Sequence, residues 1–81
     1  MKVTNATPHE QSMATAFFAR HQRDFADISL NITVEKHADM QPEAFALSAN
    51  RSSKTAIIKC NSDRAFRYAL NALRSWVRSG D

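Results

Sequence analysis

The chain has 81 residues, of which 43% are apolar and 23% are charged, and its formal net charge is +3. This composition is close to the globular average and excludes a largely disordered chain. We therefore expect one small domain over residues 7–81, after a loose lead-in over residues 1–6. Without a membrane-length apolar run or a signal peptide, and with a single cysteine, the chain reads as cytoplasmic, with no membrane partner.

The first predicted element is a helix over residues 8–24. Thr7-Pro8-His9-Glu10 has the form of a capping box, with a proline at the first helical position. Apolar residues, together with one histidine, then recur on one side at helical spacing: Ala14, Phe17, Phe18, His21 and Phe25.

The next stretch, DISLNITVEKH, has a period of two. Its apolar residues alternate with polar ones, at Ile28, Leu30, Ile32 and Val34. Such alternation predicts a strand with one buried face.

Residues 43–49, EAFALSA, are ambiguous. Their alanines and Glu43 favour a helix, whereas pairing with the next segment favours a strand. A hairpin loop at residues 50–53 would pair Ala49 with Lys54, Leu47 with Ala56 and Phe45 with Ile58, leaving both apolar cross-strand pairs on one face. We therefore favour a strand, with the helix as the alternative.

Residues 54–60, KTAIIKC, predict the last strand. Asn61 or Ser62 can cap a final helix that carries Asp63 in its first turn and ends near Arg78. The expected fold is α+β in the order α-β-β-β-α, with a three-stranded antiparallel sheet and both helices on one face of it.

The last helix carries arginines along one side. The stretch RAFRYALNALRSWVR, residues 64–78, contains Arg64, Arg67, Arg74 and Arg78, with no lysine and no acid. At 100° per residue these arginines and Asn71 form a line, and the apolar residues form a separate stripe. The apolar stripe is Phe66, Ala69, Leu70, Leu73, Trp76 and Val77.

Two interpretations of this arginine line remain open. It could be the solvated side of an amphipathic helix, because arginine is a good helix former and suits a helix C-terminus. Solvated faces usually mix both signs of charge, however, and arginine suits phosphate contacts. Residues 41–81 also hold seven basic and three acidic residues, against four and five in residues 1–40. This asymmetry favours a polyanionic partner.

The expected topology adds a basic corner at each end of this helix. A helix that runs back across the last strand begins near the connection at residues 36–42, which carries Lys36 and His37. It ends near the loop that carries Arg51 and Lys54. Two basic corners joined by an arginine line could follow one phosphate backbone.

The helix–three strands–helix order resembles the double-stranded-RNA-binding domain over residues 8–78. That resemblance implies RNA contacts from the first helix, from the loop between the first two strands and from basic residues opening the last helix. By position these would be Lys36 and His37 in the loop, and Arg64 and Arg67 on the helix. The segments read KHADMQP and NSDRAFR without the family's own motifs, so the resemblance is one of topology.

Other chemistry finds little support in the sequence. His9, His21, His37 and Cys60 lack the short spacings of zinc sites. A nucleophilic Cys60 would need a histidine base that the sequence does not place beside it, and a buried cysteine at a strand end is the simpler interpretation. No glycine-rich phosphate loop or serine-nucleophile motif is present. We expect no cofactor, no metal and no enzymatic activity.

The sequence thus predicts a small, non-enzymatic regulatory protein that binds nucleic acid, either RNA or DNA. The predicted contact residues are six of the seven basic residues of the second half together with one on the first connection: Arg64, Arg67, Arg74, Arg78, Arg51, Lys54 and Lys36. The alternative is a protein-binding inhibitor or adaptor, such as phages and plasmids carry, whose arginines meet an acidic protein surface. A homodimer is a further possibility.

Overall fold

The computed structural model describes residues 1–79. Within them the elements are β1 (Lys2–Thr4), α1 (Pro8–Arg20), α2 (Gln22–Phe25), β2 (Asn31–Lys36), β3 (Phe45–Asn50), β4 (Thr55–Cys60) and α3 (Asp63–Ser79). The predicted α+β class is confirmed.

The sheet is mixed and has four strands in the order β1-β2-β4-β3. β1, β2 and β4 run parallel to one another, and β3 is antiparallel to β4. The predicted three-stranded antiparallel sheet is therefore wrong, and with it the likeness to the double-stranded-RNA-binding topology. The connection at residues 37–44 passes the end of β4, where the His37 N–H donates to the Cys60 carbonyl over 3.1 Å.

The burial of its side chains explains why β4 is central. Ala56, Ile58 and Cys60, the three residues of β4 that face the helices, are each no more than 2% exposed. A strand whose apolar side chains are this well covered is stabilised by pairing on both edges, which only an interior position provides.

The fourth strand, β1, lies in the segment expected to be a loose lead-in. The Lys2 N–H donates to the Leu30 carbonyl over 3.0 Å, and the Gln11 side chain donates to the Val3 carbonyl over 2.7 Å. Val3 packs against the core. Three residues are too few to show a period, which is why the sequence pattern did not predict this strand.

The β3–β4 hairpin confirms the strand interpretation for residues 45–49 of the predicted segment 43–49 and corrects its register, while Glu43 and Ala44 precede the strand. The loop is residues 51–54, and the pairs are Phe45–Cys60, Leu47–Ile58 and Ala49–Ala56. Asn50 stays in β3, and its side-chain oxygen accepts from the Ser53 N–H over 3.0 Å, which fixes the turn. Because the register shift is two residues, every side chain keeps its predicted face.

The first helix begins as predicted and ends early. The Thr7 hydroxyl accepts from the Glu10 N–H over 3.1 Å, and the Glu10 carboxylate accepts from the Thr7 N–H over 2.9 Å, which confirms the capping box. The helix breaks at His21, whose ψ of 35° leaves the helical range, and the short α2 follows. The predicted single helix over residues 8–24 is therefore two helices.

Both long helices pack on the same face of the sheet. The core joins Ala14 of α1 to the apolar stripe of α3, where Phe66, Ala69, Leu70 and Leu73 are buried. Trp76 and Val77 lie at its margin. Within residues 1–79, no helix combines the length and apolar character that crossing a membrane requires.

Candidate functional site

The arginine line of α3 lies on the outside of the molecule, but other segments supply acids to it. Arg64 donates from Nη1 to the Glu43 carboxylate over 2.8 Å, and both side chains are well exposed. An exposed pair of this kind contributes little to stability. It does reduce the positive charge at the start of the line.

A second acid, Asp24, contacts the arginines at the C-terminal end of the arginine line. Arg74 Nε donates to the carboxylate of Asp24 over 2.7 Å, and Arg78 Nε lies 3.8 Å from the same carboxylate. The hydrogen bond from Arg74, with the charges of Arg74 and Arg78, lowers the pKa of Asp24 below its ordinary value of 3.8. Two arginines are thus held against α2 by one aspartate.

The loop at residues 51–54 lies at the end of α3, as the topology predicted. Arg51 donates to the Trp76 carbonyl over 2.7 Å, and its guanidinium lies 4.2 Å from the centre of the Trp76 ring. Arg51 therefore caps the helix C-terminus. Lys54, next to it, has a φ of 57° and is exposed.

Lys36 has a structural partner instead of a place in a basic corner. Its ammonium contacts the carboxylate of Glu10, which is 0% exposed. The start of α3 does lie beside the connection at residues 37–44, where Ser62 donates to the Pro42 carbonyl. The contacts of Lys36 run to α1, however, and not to Arg64 or Arg67.

Arg67 remains the exposed arginine of the line that forms no ion pair with any other residue of 1–79. It stands at the rim of a groove of about 450 Å³ between α1 and α3. Three other polar residues line this groove, which we call the α1–α3 groove: Arg20, His21 and Asn71. Its apolar lining consists of Met13, Ala16, Phe17 and Leu70.

The chemistry of the α1–α3 groove is that of an anion site with an apolar floor. No acidic residue is among the residues that line it. Arg20 approaches from the last turn of α1, and Arg67 approaches from α3. Two guanidinium groups on facing helices can each donate paired hydrogen bonds to a phosphate or carboxylate.

The histidines and the cysteine are dispersed. His9 Nε2 lies 3.3 Å from the Asp63 carboxylate, and His37 Nε2 lies 3.3 Å from the Glu35 carboxylate. The centre of the His21 ring lies 4.6 Å from the centre of the Phe17 ring. Burial raises the pKa of the Cys60 thiol, and the side chain is 0% exposed. A thiol in this environment is a poor nucleophile.

Comparisons of the chain with known protein families, curated proteins and solved structures found no match.

Two features of this surface do not follow from the sequence pattern. Asp24 and Glu43 are distant in sequence from the arginines of α3, and the fold brings each of these acids into contact with an arginine. The sequence also gave no sign that Arg20, near the end of the first helix, faces Arg67. Such pairings depend on how the helices pack, which periodicity within one helix does not determine.

Proposed function

We propose that this chain is a small regulatory protein that binds nucleic acid in the α1–α3 groove. The observation that carries the proposal is the groove's lining, in which Arg20, His21, Arg67 and Asn71 occur without an acid. Phosphate groups are the anions that such a lining fits, and contacts to them dominate the affinity of nucleic-acid-binding proteins.

The proposed binding surface contains fewer of the arginines than the sequence predicted. Arg64, Arg74 and Arg78 each have an acidic neighbour, so we assign them to the borders of the site and not to its centre. Arg51 and Lys36 have structural partners, since Arg51 donates to the end of α3 and Lys36 pairs with Glu10. The principal contacts are Arg67 and Arg20, with Lys54 on a separate surface near the end of α3.

The test is a titration of labelled duplex RNA, duplex DNA and single-stranded oligonucleotide, repeated over a range of salt concentrations. Replacing both Arg20 and Arg67 by glutamate should weaken binding by about tenfold or more. It should also make the slope of log binding constant against log salt concentration less steep, by about 0.9 for each duplex phosphate contact that is lost. Arg64→Glu should have a smaller effect, because Glu43 already offsets that charge.

Lys59→Glu is the matched control. Lys59 lies on the exposed face of β4, away from the helices, and the substitution makes the same change of charge as a single groove substitution such as Arg67→Glu. Loss of binding in Lys59→Glu equal to that of a groove variant would show a response to net charge alone. Absence of binding to all of these nucleic acids at low salt would reject the proposal.

The apolar floor of the groove supports a second candidate function. Met13 and Phe17 are half-buried beneath the basic rim, which also fits an acidic segment of a partner protein with an apolar side chain to insert. The protein would then be an inhibitor or adaptor. A partner retained by the wild type, and lost by Arg67→Glu in the absence of nucleic acid, would favour this function.

A further inference from the structure

The strand β3 forms an edge of the sheet that lacks the usual protection. Alternate N–H and C=O groups of an edge strand point away from the sheet, and proteins shield such edges by shortness, charge or proline. The opposite edge, β1, has three residues and carries Lys2. β3 has six residues, FALSAN, with no charge and no proline. A further strand could therefore pair along its whole length.

Apolar side chains extend this edge beyond the backbone. Phe45 is 36% exposed and Tyr68 is 44% exposed. The Arg64–Glu43 ion pair sets one side of α3 beside the start of β3. Tyr68 follows Arg64 by one helical turn and therefore lies on that same side. The edge thus offers two exposed rings together with unpaired backbone groups.

The charges that flank β3 identify the kind of strand that fits. Glu43, which pairs with Arg64 within the chain, precedes the strand, and Arg51, whose guanidinium also donates to carbonyls at the end of α3, follows it. When two identical strands pair antiparallel, the start of each meets the end of the other. With Leu47 opposite Leu47 of the second copy, Glu43 falls opposite Arg51 of that copy, and the contact occurs twice. The ends of β3 are thus complementary to the ends of a second β3.

We propose that two copies of this chain pair through β3 in an antiparallel, two-fold arrangement that joins their sheets into one. Leu47 lies opposite its counterpart, and Ala46 lies opposite Ser48 of the second copy. Tyr68 and Arg67 are consecutive in α3 and therefore point about 100° apart, so the interface lies beside Tyr68 and the α1–α3 groove lies beside Arg67. The dimer is therefore independent of the proposed binding function.

The first test is the oligomeric state, measured by sedimentation equilibrium over a range of concentrations. The wild type should dimerise. Ala46→Lys combined with Ser48→Lys should give monomers, because each new lysine faces another across the axis. Ala46→Glu combined with Ser48→Glu should do the same. Both side chains are exposed on the open face of the sheet, so circular dichroism should show an intact fold.

Mixing the two variants makes the test specific. The lysine and glutamate chains should form a heterodimer, because every like-charge pair becomes an opposite-charge pair. A dimeric wild type with a mixture that stays monomeric would overturn the proposal. A wild type that is monomeric at every concentration would overturn it as well, and would leave the edge to a strand from another protein.

The second test concerns the register. Leu47→Cys should form a disulfide-linked dimer on mild oxidation, because directly opposed residues of antiparallel strands have Cα atoms about 4.5–5.5 Å apart, within disulfide range. Ala49→Cys should not, because its counterpart would be displaced by roughly 13 Å along the strand. Cys60 is buried and should therefore not compete for cross-linking in either variant. Equal cross-linking of the two variants would contradict the proposed register.

Discussion

Glu10 is a carboxylate without exposed surface, and two different parts of the fold depend on it. One oxygen accepts from the Thr7 N–H and completes the capping box of α1. The other contacts the ammonium of Lys36 at the end of β2. One side chain therefore fixes the start of a helix and ties that helix to the sheet.

Removing the lysine of this pair should be costly. We expect Lys36→Met to lower the free energy of unfolding by about 2–3 kcal/mol, because it leaves a buried carboxylate without its counter-charge. This loss is at or below the lower limit of about 3 kcal/mol for breaking a fully buried ion pair, since the side chain of Lys36 is 40% exposed. Urea unfolding measures the change.

A double variant isolates the cause. Glu10→Gln combined with Lys36→Met should be more stable than Lys36→Met alone, because a neutral amide can keep the capping bond without a buried charge. Lys59→Met, on the open sheet face, should change stability by no more than about 0.5 kcal/mol. If Lys36→Met matches Lys59→Met, the ion pair contributes nothing to folding.

Among the elements, α2 is attached to α3 by a charge pair that should respond to pH. Asp24 has a folded-state pKa below its ordinary value, chiefly because Arg74 donates a hydrogen bond to it. A depressed carboxyl pKa gives stability that is present above the unfolded-state value of 3.8 and is lost as the pH falls through the lower folded-state value.

We therefore expect the stability difference between the wild type and Asp24→Asn to be constant near neutral pH and to shrink below about pH 4. Unfolding by urea at a series of pH values measures this difference. In an Arg74→Ala background the shrinkage should be much smaller, because the main cause of the shift has gone. A difference that grows as the pH falls would contradict this assignment.

Local sequence signals predicted the elements well and their interruptions poorly. The capping box at Thr7 and the cap at Ser62 are local hydrogen-bond motifs, and the Ser62 hydroxyl accepts from the Ala65 N–H over 3.0 Å. The break at His21 has no comparable signal, because apolar spacing continues through it to Phe25. The hairpin register was missed because the Asn50 turn moves the loop by one residue.

At the scale of the whole molecule, strand order was beyond the sequence pattern. Alternation in β2, β3 and β4 shows which side chains of each strand are buried. It does not determine which strands lie next to one another in the sheet. The order is decided by which strand best covers the core and by how residues 37–44 cross the end of β4. The same limit applies to the candidate site, where the arginine line of the last helix was predicted but the approach of Arg20 to Arg67 was not.

The short strand β1 allows a test of how far the sheet extends. Val3→Asp should lower the free energy of unfolding by about 1–2 kcal/mol, because it places a charge where an apolar side chain packs on the core. Thr4→Asp is the control, since that side chain is exposed on the same strand. Equal stability of the two variants would show that β1 contributes no apolar burial.

The position of β4 also has a consequence for how the chain folds during translation. β4 lies between β2 and β3 although it is synthesised after both, and Asn31 pairs with Thr55 across a long stretch of chain. Until residues 55–60 leave the ribosome, β2 and β3 lack the neighbour that joins them. The sheet must therefore remain largely unassembled until residues 55–60 have emerged, and α3 follows directly behind β4 to cover the completed sheet.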